Sequence, residues 1–143
     1  TEPRTINLEL GNGILASTTI VPTEDMTNAL ETADYISLHV PKQSDGSAVI
    51  GKKQFDMMKD GVRIVNAARG GVINEDDLLD ALSSGKVASI GLDVFDNEPN
   101  PRTDLLNHEK IACTPHVGAA TVEAQDRIGV ELAETIIANF GAH

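Results

Sequence analysis

The 143 residues are 41 % hydrophobic and 23 % charged, the make-up of one globular domain. Twenty-two Asp and Glu against eleven Lys and Arg give a formal net charge of −11. That argues against nucleic acid or an anionic membrane surface as partner, since both need basic patches, but not against an anionic small molecule held by one or two local cations.

Residues 5–10 alternate and predict a strand, Gly11-Asn12-Gly13 a turn, and residues 14–21 a second β-prone run. Gly11, Gly13 and Ala16 spell GxGxxA here. A dinucleotide fingerprint needs a helix opening at the third position, and Ser17-Thr18-Thr19-Ile20-Val21-Pro22 is poor helix material, so the match is rejected. Thr23 is the expected N-cap of a helix presenting Met26, Ala29, Leu30 and Ala33 on one face. A strand over 35–40 follows, stopped by Pro41, then a polar loop over 42–47 and a short helix over 52–58 presenting Phe55 and Met58.

The stretch Val62 to Leu79, VRIVNAARGGVINEDDLL, organises the chain. Val62, Ile64 and Val65 predict a strand covered on both faces. Asn74 is the N-cap of the next helix, with Glu75, Asp76 and Asp77 complementing its dipole. Ile73 and Leu78 form a hydrophobic staple, and Gly85 ends the helix. Further strands are expected at 87–92 and 111–113, separated by a proline-rich loop over 96–103. Thr121 caps a long helix with Ala124, Ile128, Leu132, Ile136 and Phe140 on one stripe, closed by Gly141. The core falls to Ile, Val, Leu and Ala, because aromatics are only 3 %.

Strands and helices alternate with short connections, the pattern of a parallel sheet wrapped by helices. In such sheets ligands bind beyond the carboxyl ends of the strands. Arg69 lies past one strand, Asp93 and Glu98 past the next, and His116 with Gly118 past the last. Each has a bland alternative. Arg69 can hold a turn, Asp93 can cap local backbone, Glu98 can be a solvated loop charge and His116 a structural histidine. Gly70, Gly71 and Gly118 can simply permit tight turns. Together the groups complement one another. Arginine grips a carboxylate with two parallel hydrogen bonds, and histidine exchanges protons near neutral pH. A neighbouring carboxylate favours the protonated ring.

No serine or cysteine nucleophile is evidently paired. Cys113 sits in an apolar strand as an inert thiol, and as the single cysteine it excludes an internal disulfide and fits a reducing compartment. The histidines lack metal-ligand spacing, with His39 and His108 structural or solvated and His143 a tail residue. What remains is acid–base work on a carboxylate-bearing substrate.

Three segments, VRIVNAARGGVINEDDL, ASIGLDVFDNEP and CTPHVGAATVEAQ, resemble the NAD-dependent D-2-hydroxyacid dehydrogenases, most of all their D-3-phosphoglycerate dehydrogenase branch. The resemblance runs from about Thr23 to about Phe140. It implies a hydride transfer between NAD(H) and a D-2-hydroxy acid/2-oxo acid pair, 3-phospho-D-glycerate and 3-phosphohydroxypyruvate first, and so a place in serine biosynthesis. It implies Arg69 as the substrate grip, His116 as the general acid/base and Glu98 as its partner. Asp93 would meet the nicotinamide carboxamide. Val40, Ala67, Ala68, Val117, Gly118 and Ala119 would line the cofactor beside Arg69 and His116. A homo-oligomer is implied for the full-length protein.

The resemblance also marks a departure. The family's first strand–turn–helix with GxGxxG, the strand ending in the ribose-binding acid, and the substrate domain are not in this sequence. The expectation is the carboxyl-terminal portion of an NAD-binding Rossmann domain over residues 1–143, cut or processed from something longer and inactive alone, with an open edge on the 35–40 strand. Other classes stay open. One is reduction of hydroxypyruvate or glyoxylate. Another is a catalytically silent NAD-binding interaction protein. A flavodoxin-like or receiver-type module is disfavoured, since no early acidic cluster or flavin loop is present. No apolar run is long enough to span a bilayer and no secretory signal is visible, so the cytoplasm is the expected location.

Overall fold

A computed structural model describes residues 2–10 and 13–141. Two strands, β1 (Arg4–Leu10) and β2 (Ile14–Ile20), form an antiparallel hairpin in full register, Arg4 opposite Ile20 and Leu10 opposite Ile14. Ala16 thus lies in a strand, as the rejection of the GxGxxA match requires. Gly11 and Asn12 of the expected turn, like His143, lie outside the described residues.

The rest is an α/β unit. Strands β3 (Tyr35–Leu38), β4 (Val62–Asn66), β5 (Val87–Leu92) and β6 (Ile111–Cys113) pair in that order, all parallel. Helices α1 (Met26–Thr32), α2 (Lys52–Met57), α3 (Glu75–Ser83) and α4 (Thr103–Leu106) lie between them in sequence, and α5 (Val122–Phe140) follows β6. β3 lies at one edge of the described sheet, the open edge expected for the 35–40 strand.

Local chemistry accounts for the helix ends. Asn74 Oδ1 accepts the Asp77 N–H at 2.9 Å, the cap read from sequence. Ile73 and Leu78 of the staple are both buried in the core. Gly85 takes φ +81° after α3, where L residues with a Cβ are strained. The cap of α1 is Asp25 rather than Thr23. Asp25 Oδ1 accepts the Asn28 N–H at 3.0 Å, while Thr23 Oγ1 accepts from Asp25 itself, one link upstream. β3 stops at Leu38, so His39 and Val40 fall just past the strand end. The short helix α4 lies where a proline-rich loop was expected to end, and Leu105 anchors it in the core.

The expectation of a strand covered on both faces is corrected. Val62 and Ile64 are 1 % and 2 % exposed, but Val65 is 49 % exposed. The core of Leu38, Ile50, Phe55, Leu78, Leu82 and Ile90 gathers where α2 and α3 pack, on the face that Val62 and Ile64 share. Arg63, Val65, Ser89 and Gly91 line an open groove on the other face, with the Arg63 guanidinium over the Tyr35 ring at 5.7 Å. The apolar stripe of α5 is likewise uncovered, with Ile128, Leu132, Ile136 and Phe140 all exposed.

This one-sided burial has a direct consequence. Ile64→Ala is expected to cost about 3 kcal/mol of stability through the cavity it leaves, whereas Val65→Thr stays within about 0.5 kcal/mol. Urea unfolding of the two variants beside the unsubstituted chain checks both.

Candidate active site

The site is built on the carboxyl edge of the sheet, by loops that follow β3, β4, β5 and β6. The loop after β4 is shaped by Asn66, the last residue of that strand, which is 2 % exposed. Its Oδ1 accepts the Ala68 N–H at 3.1 Å and its Nδ2 donates to the Arg69 carbonyl at 3.2 Å. The side chain thereby folds the chain back on itself and delivers Arg69 to the edge. Arg69 Nη1 donates to the Ala68 carbonyl at 2.6 Å, and Arg69 forms no ion pair among the described residues. Gly70 must be glycine for a packing reason. A Cβ there would sit 1.8 Å from the Phe95 carbonyl oxygen, so the turn lies directly on the loop after β5.

Asp93 ties that loop to the next. Its own N–H donates to the Asn66 carbonyl at 3.0 Å. Its Oδ1 accepts from the Thr114 hydroxyl and from the Val117 N–H, and its Oδ2 from the Gly118 N–H at 2.8 Å. The residue is 7 % exposed. Burial pushes its carboxyl up, but the hydrogen bonds from Thr114, Val117 and Gly118 together outweigh burial and hold it below the usual aspartate value. Asp93 thus does not cap its own loop, the local role weighed for it; its carboxylate secures the loop after β6 instead. Between those anchors His116 adopts φ +57°, a left-handed conformation unusual for a residue with a Cβ, which persists where its surroundings over-determine it.

His116 Nδ1 lies 2.7 Å from Glu98 Oε2, and Glu98 Oε1 accepts the Phe95 N–H at 2.8 Å. The hydrogen bond from His116, with that from Phe95, holds the Glu98 carboxyl below its ordinary value. A carboxylate only accepts, so Nδ1 is the donor and Nε2 is left to exchange a proton with a ligand. Arg69, Glu98 and His116 line one cavity of about 370 Å³ with Pro41, Lys42, Gly70, Phe95 and Asp96. The catalytic set read from sequence is thus brought together.

A second cavity of about 330 Å³ adjoins it through Arg69 and is lined by His39, Val40, Pro41, Ala67 and Ala68. Its small side chains at the ends of β3 and β4 leave a shelf of the kind a nucleotide occupies beyond strand ends. His39, set aside in the sequence as structural or solvated, lines this shelf, with Nε2 2.8 Å from the Ser37 hydroxyl. Val117 and Gly118 act on Asp93, and Ala119 is exposed on the turn that follows. His108 is structural, its Nδ1 accepting the Lys110 N–H at 3.1 Å. Cys113 is exposed, and desolvation pushes its thiol up, away from the reactive thiolate. Among the described residues no group of three or more His, Cys, Asp and Glu could hold a metal ion, and no helix is long and apolar enough to cross a membrane.

Comparison with known proteins decides the family. Residues 13–118 match the model of the D-isomer specific 2-hydroxyacid dehydrogenase NAD binding domain. The chain belongs to this family. Its cofactor is accordingly NAD, and the small-residue shelf beside Arg69 fits that assignment. The chain is 52 % identical over 110 residues to D-3-phosphoglycerate dehydrogenase 3, chloroplastic, of Arabidopsis thaliana, covering 76 % of this chain and 19 % of the relative. It is 45 % identical over 120 residues to hydroxypyruvate reductase of Thermotoga maritima, covering 82 % and 39 %. A glyoxylate reductase structure from Paecilomyes thermophila superposes with a TM-score of 0.68 at 40 % identity, over 78 % of this chain and 35 % of that one. The chain therefore spans less than two fifths of each of these relatives.

Sequence reasoning passed over Asn66 and Lys42. Asn66 ends an apolar strand, and its signal was a polar residue at a buried strand position. Replacing it by Ala orphans the Ala68 N–H and the Arg69 carbonyl, and about 1–3 kcal/mol of stability is expected to go with them, measured by urea unfolding.

The depressed carboxyls of Asp93 and Glu98 also fix the sign of an acid effect. Each contributes stability that is fully present above its unfolded-state pKa, near pH 4, and is lost as pH falls through the lower folded value. Unfolding free energies taken from pH 6 down to pH 2 are expected to decline below about pH 4, and less steeply in Asp93→Asn.

Proposed function

We propose that this chain is the carboxyl-terminal part of the cofactor domain of a D-2-hydroxyacid dehydrogenase that interconverts a 2-hydroxy acid and its 2-oxo acid. The observation that carries the reading is the His116–Glu98 pair at 2.7 Å in one cavity with an arginine that forms no ion pair among the described residues. Arg69 holds the substrate carboxylate and orients the carbonyl. His116 gives a proton from Nε2 to the carbonyl oxygen during reduction and takes the hydroxyl proton in oxidation. Glu98, through Nδ1, fixes the ring and balances its charge when protonated. NAD, when bound, supplies or accepts the hydride. Val40, Ala67 and Ala68 line its shelf, while Val117, Gly118 and Ala119 lie on the loop that Asp93 secures. A contact from Asp93 to the nicotinamide carboxamide uses lone-pair capacity left beyond its three hydrogen bonds.

The favoured pair is 3-phospho-D-glycerate and 3-phosphohydroxypyruvate, and with it a place in serine biosynthesis. The 52 % identity to the Arabidopsis phosphoglycerate dehydrogenase supports it. Hydroxypyruvate or glyoxylate is the second reading, supported by the names of the Thermotoga and Paecilomyes relatives. The acidic composition and single cysteine support a cytoplasmic setting.

The residues missing from this sequence make turnover by the isolated chain unexpected. Robust NADH oxidation by the 143-residue chain alone contradicts that part of the reading. The chemistry is tested by grafting these residues in place of their counterpart in the Thermotoga reductase and following NADH oxidation with 3-phosphohydroxypyruvate, hydroxypyruvate and glyoxylate. His116→Ala in the graft is expected to lower kcat by about a hundredfold to ten-thousandfold, and Arg69→Lys to raise KM. An undiminished kcat in His116→Ala would refute the acid/base role.

A further inference from the structure

Four cations of this acidic chain form ion pairs among the described residues. Lys52 meets Asp56, Lys59 meets Asp34, Lys86 meets Asp60, and Arg102 meets Asp76 and Asp104. Lys110 donates to the Leu82 carbonyl at 2.7 Å. Lys42 has no hydrogen bond and no ion pair with any described residue, although carboxylates outnumber cations two to one. It nevertheless lines the same cavity as Arg69 and His116.

Its exposed side chain reaches the turn that carries Arg69. Pro41 and Lys42 follow β3 and line this cavity with Arg69 and Gly70. Gly71 has φ +78°, and a Cβ on it would lie 2.7 Å from both Cε and Nζ of Lys42. The glycine thus lets the ammonium lie against the turn that presents Arg69. Asp96 Oδ1 approaches the same point at 2.9 Å, yet stays more than 4 Å from the lysine nitrogen, since no ion pair forms. The cavity consequently offers two cations unneutralised by direct contact, on neighbouring loops.

One cation suffices for the carboxylate of a simple 2-hydroxy acid. We propose that Lys42 is a specificity-determining residue that recognises a second anionic group at the far end of the substrate, so that the cavity selects dianionic or trianionic 2-hydroxy acids. The inference rests on the assignment of Arg69 as the carboxylate grip. A phosphate ester and a second carboxylate share the chemistry required. A phosphate ester is the better match for a mobile ammonium with three donors, which binds phosphate as a point charge.

The test is a titration of the ¹⁵N-labelled 143-residue chain, followed through the backbone amides of Arg69, Gly70 and Gly71, with D-glycerate, 3-phospho-D-glycerate and D-malate. The phosphate ester is expected to half-saturate the shifts at a concentration about threefold to fivefold lower than D-glycerate does, the range of an exposed charge pair. Lys42→Met is expected to bring that ratio to about one. Lys53→Met, which removes the same charge from an exposed position on α2 outside the cavity, keeps it. A matching preference for D-malate means that the site reads any second anion; a preference confined to 3-phospho-D-glycerate means that it reads phosphate. Equal affinity for all three ligands, or a ratio that survives Lys42→Met, overturns the role of Lys42 alone. If no ligand, D-glycerate included, moves the Arg69 turn, the carboxylate grip fails and the inference fails with it.

Discussion

One buried carboxylate holds the site together. Asp93 leaves the end of β5, binds the end of β4 through its N–H, and binds the loop after β6 through both side-chain oxygens. Three strand ends are joined at a point from which neither Arg69 nor His116 is far along the chain. A buried ionised carboxyl is costly unless it is hydrogen-bonded, and here each oxygen accepts at least one bond from the β6 loop. The left-handed backbone of His116 depends on those bonds, because a residue with a Cβ does not keep φ +57° without restraint. Asn66 does the corresponding work one strand away, folding the Arg69 turn with its amide.

These restraints explain why acid–base chemistry is available at the edge. The His116 ring is oriented through Nδ1 by Glu98, and Glu98 is oriented in turn by the Phe95 N–H. Phe95 itself belongs to the loop against which Gly70 packs. The proton-handling and carboxylate-holding parts therefore share a rigid floor, which is what positions catalytic groups for a substrate placed between them.

Much of this was legible in the sequence, for physical reasons. The parallel strands announce themselves through β-branched runs, and α3 through Asn74, its acidic first turn and Gly85. Arg69, Glu98 and His116 could be placed at one edge because alternating strands and helices put all the strand ends there. Four things were not legible. Periodicity cannot tell whether Val65 is covered, since that depends on what packs on the second face. Thr23 has a capping side chain, but only the structure shows that Asp25, two residues on, meets the first free N–H. Four residues of helix between prolines leave too short a pattern to read α4. For Asn66 and Lys42 only the structural surroundings reveal what they do.

The central claim is that the Glu98–His116 pair is preformed by the chain itself, with the ring's Nδ1 donating to the carboxylate. The tautomer of the His116 side chain, read from long-range ¹H–¹⁵N correlations of the ring, tests it most directly. The account predicts a proton on Nδ1 and a bare Nε2 in the unliganded chain, reverting to a mixture in Glu98→Gln. A ring protonated on Nε2, or one whose tautomer ignores the loss of the Glu98 charge, would contradict it.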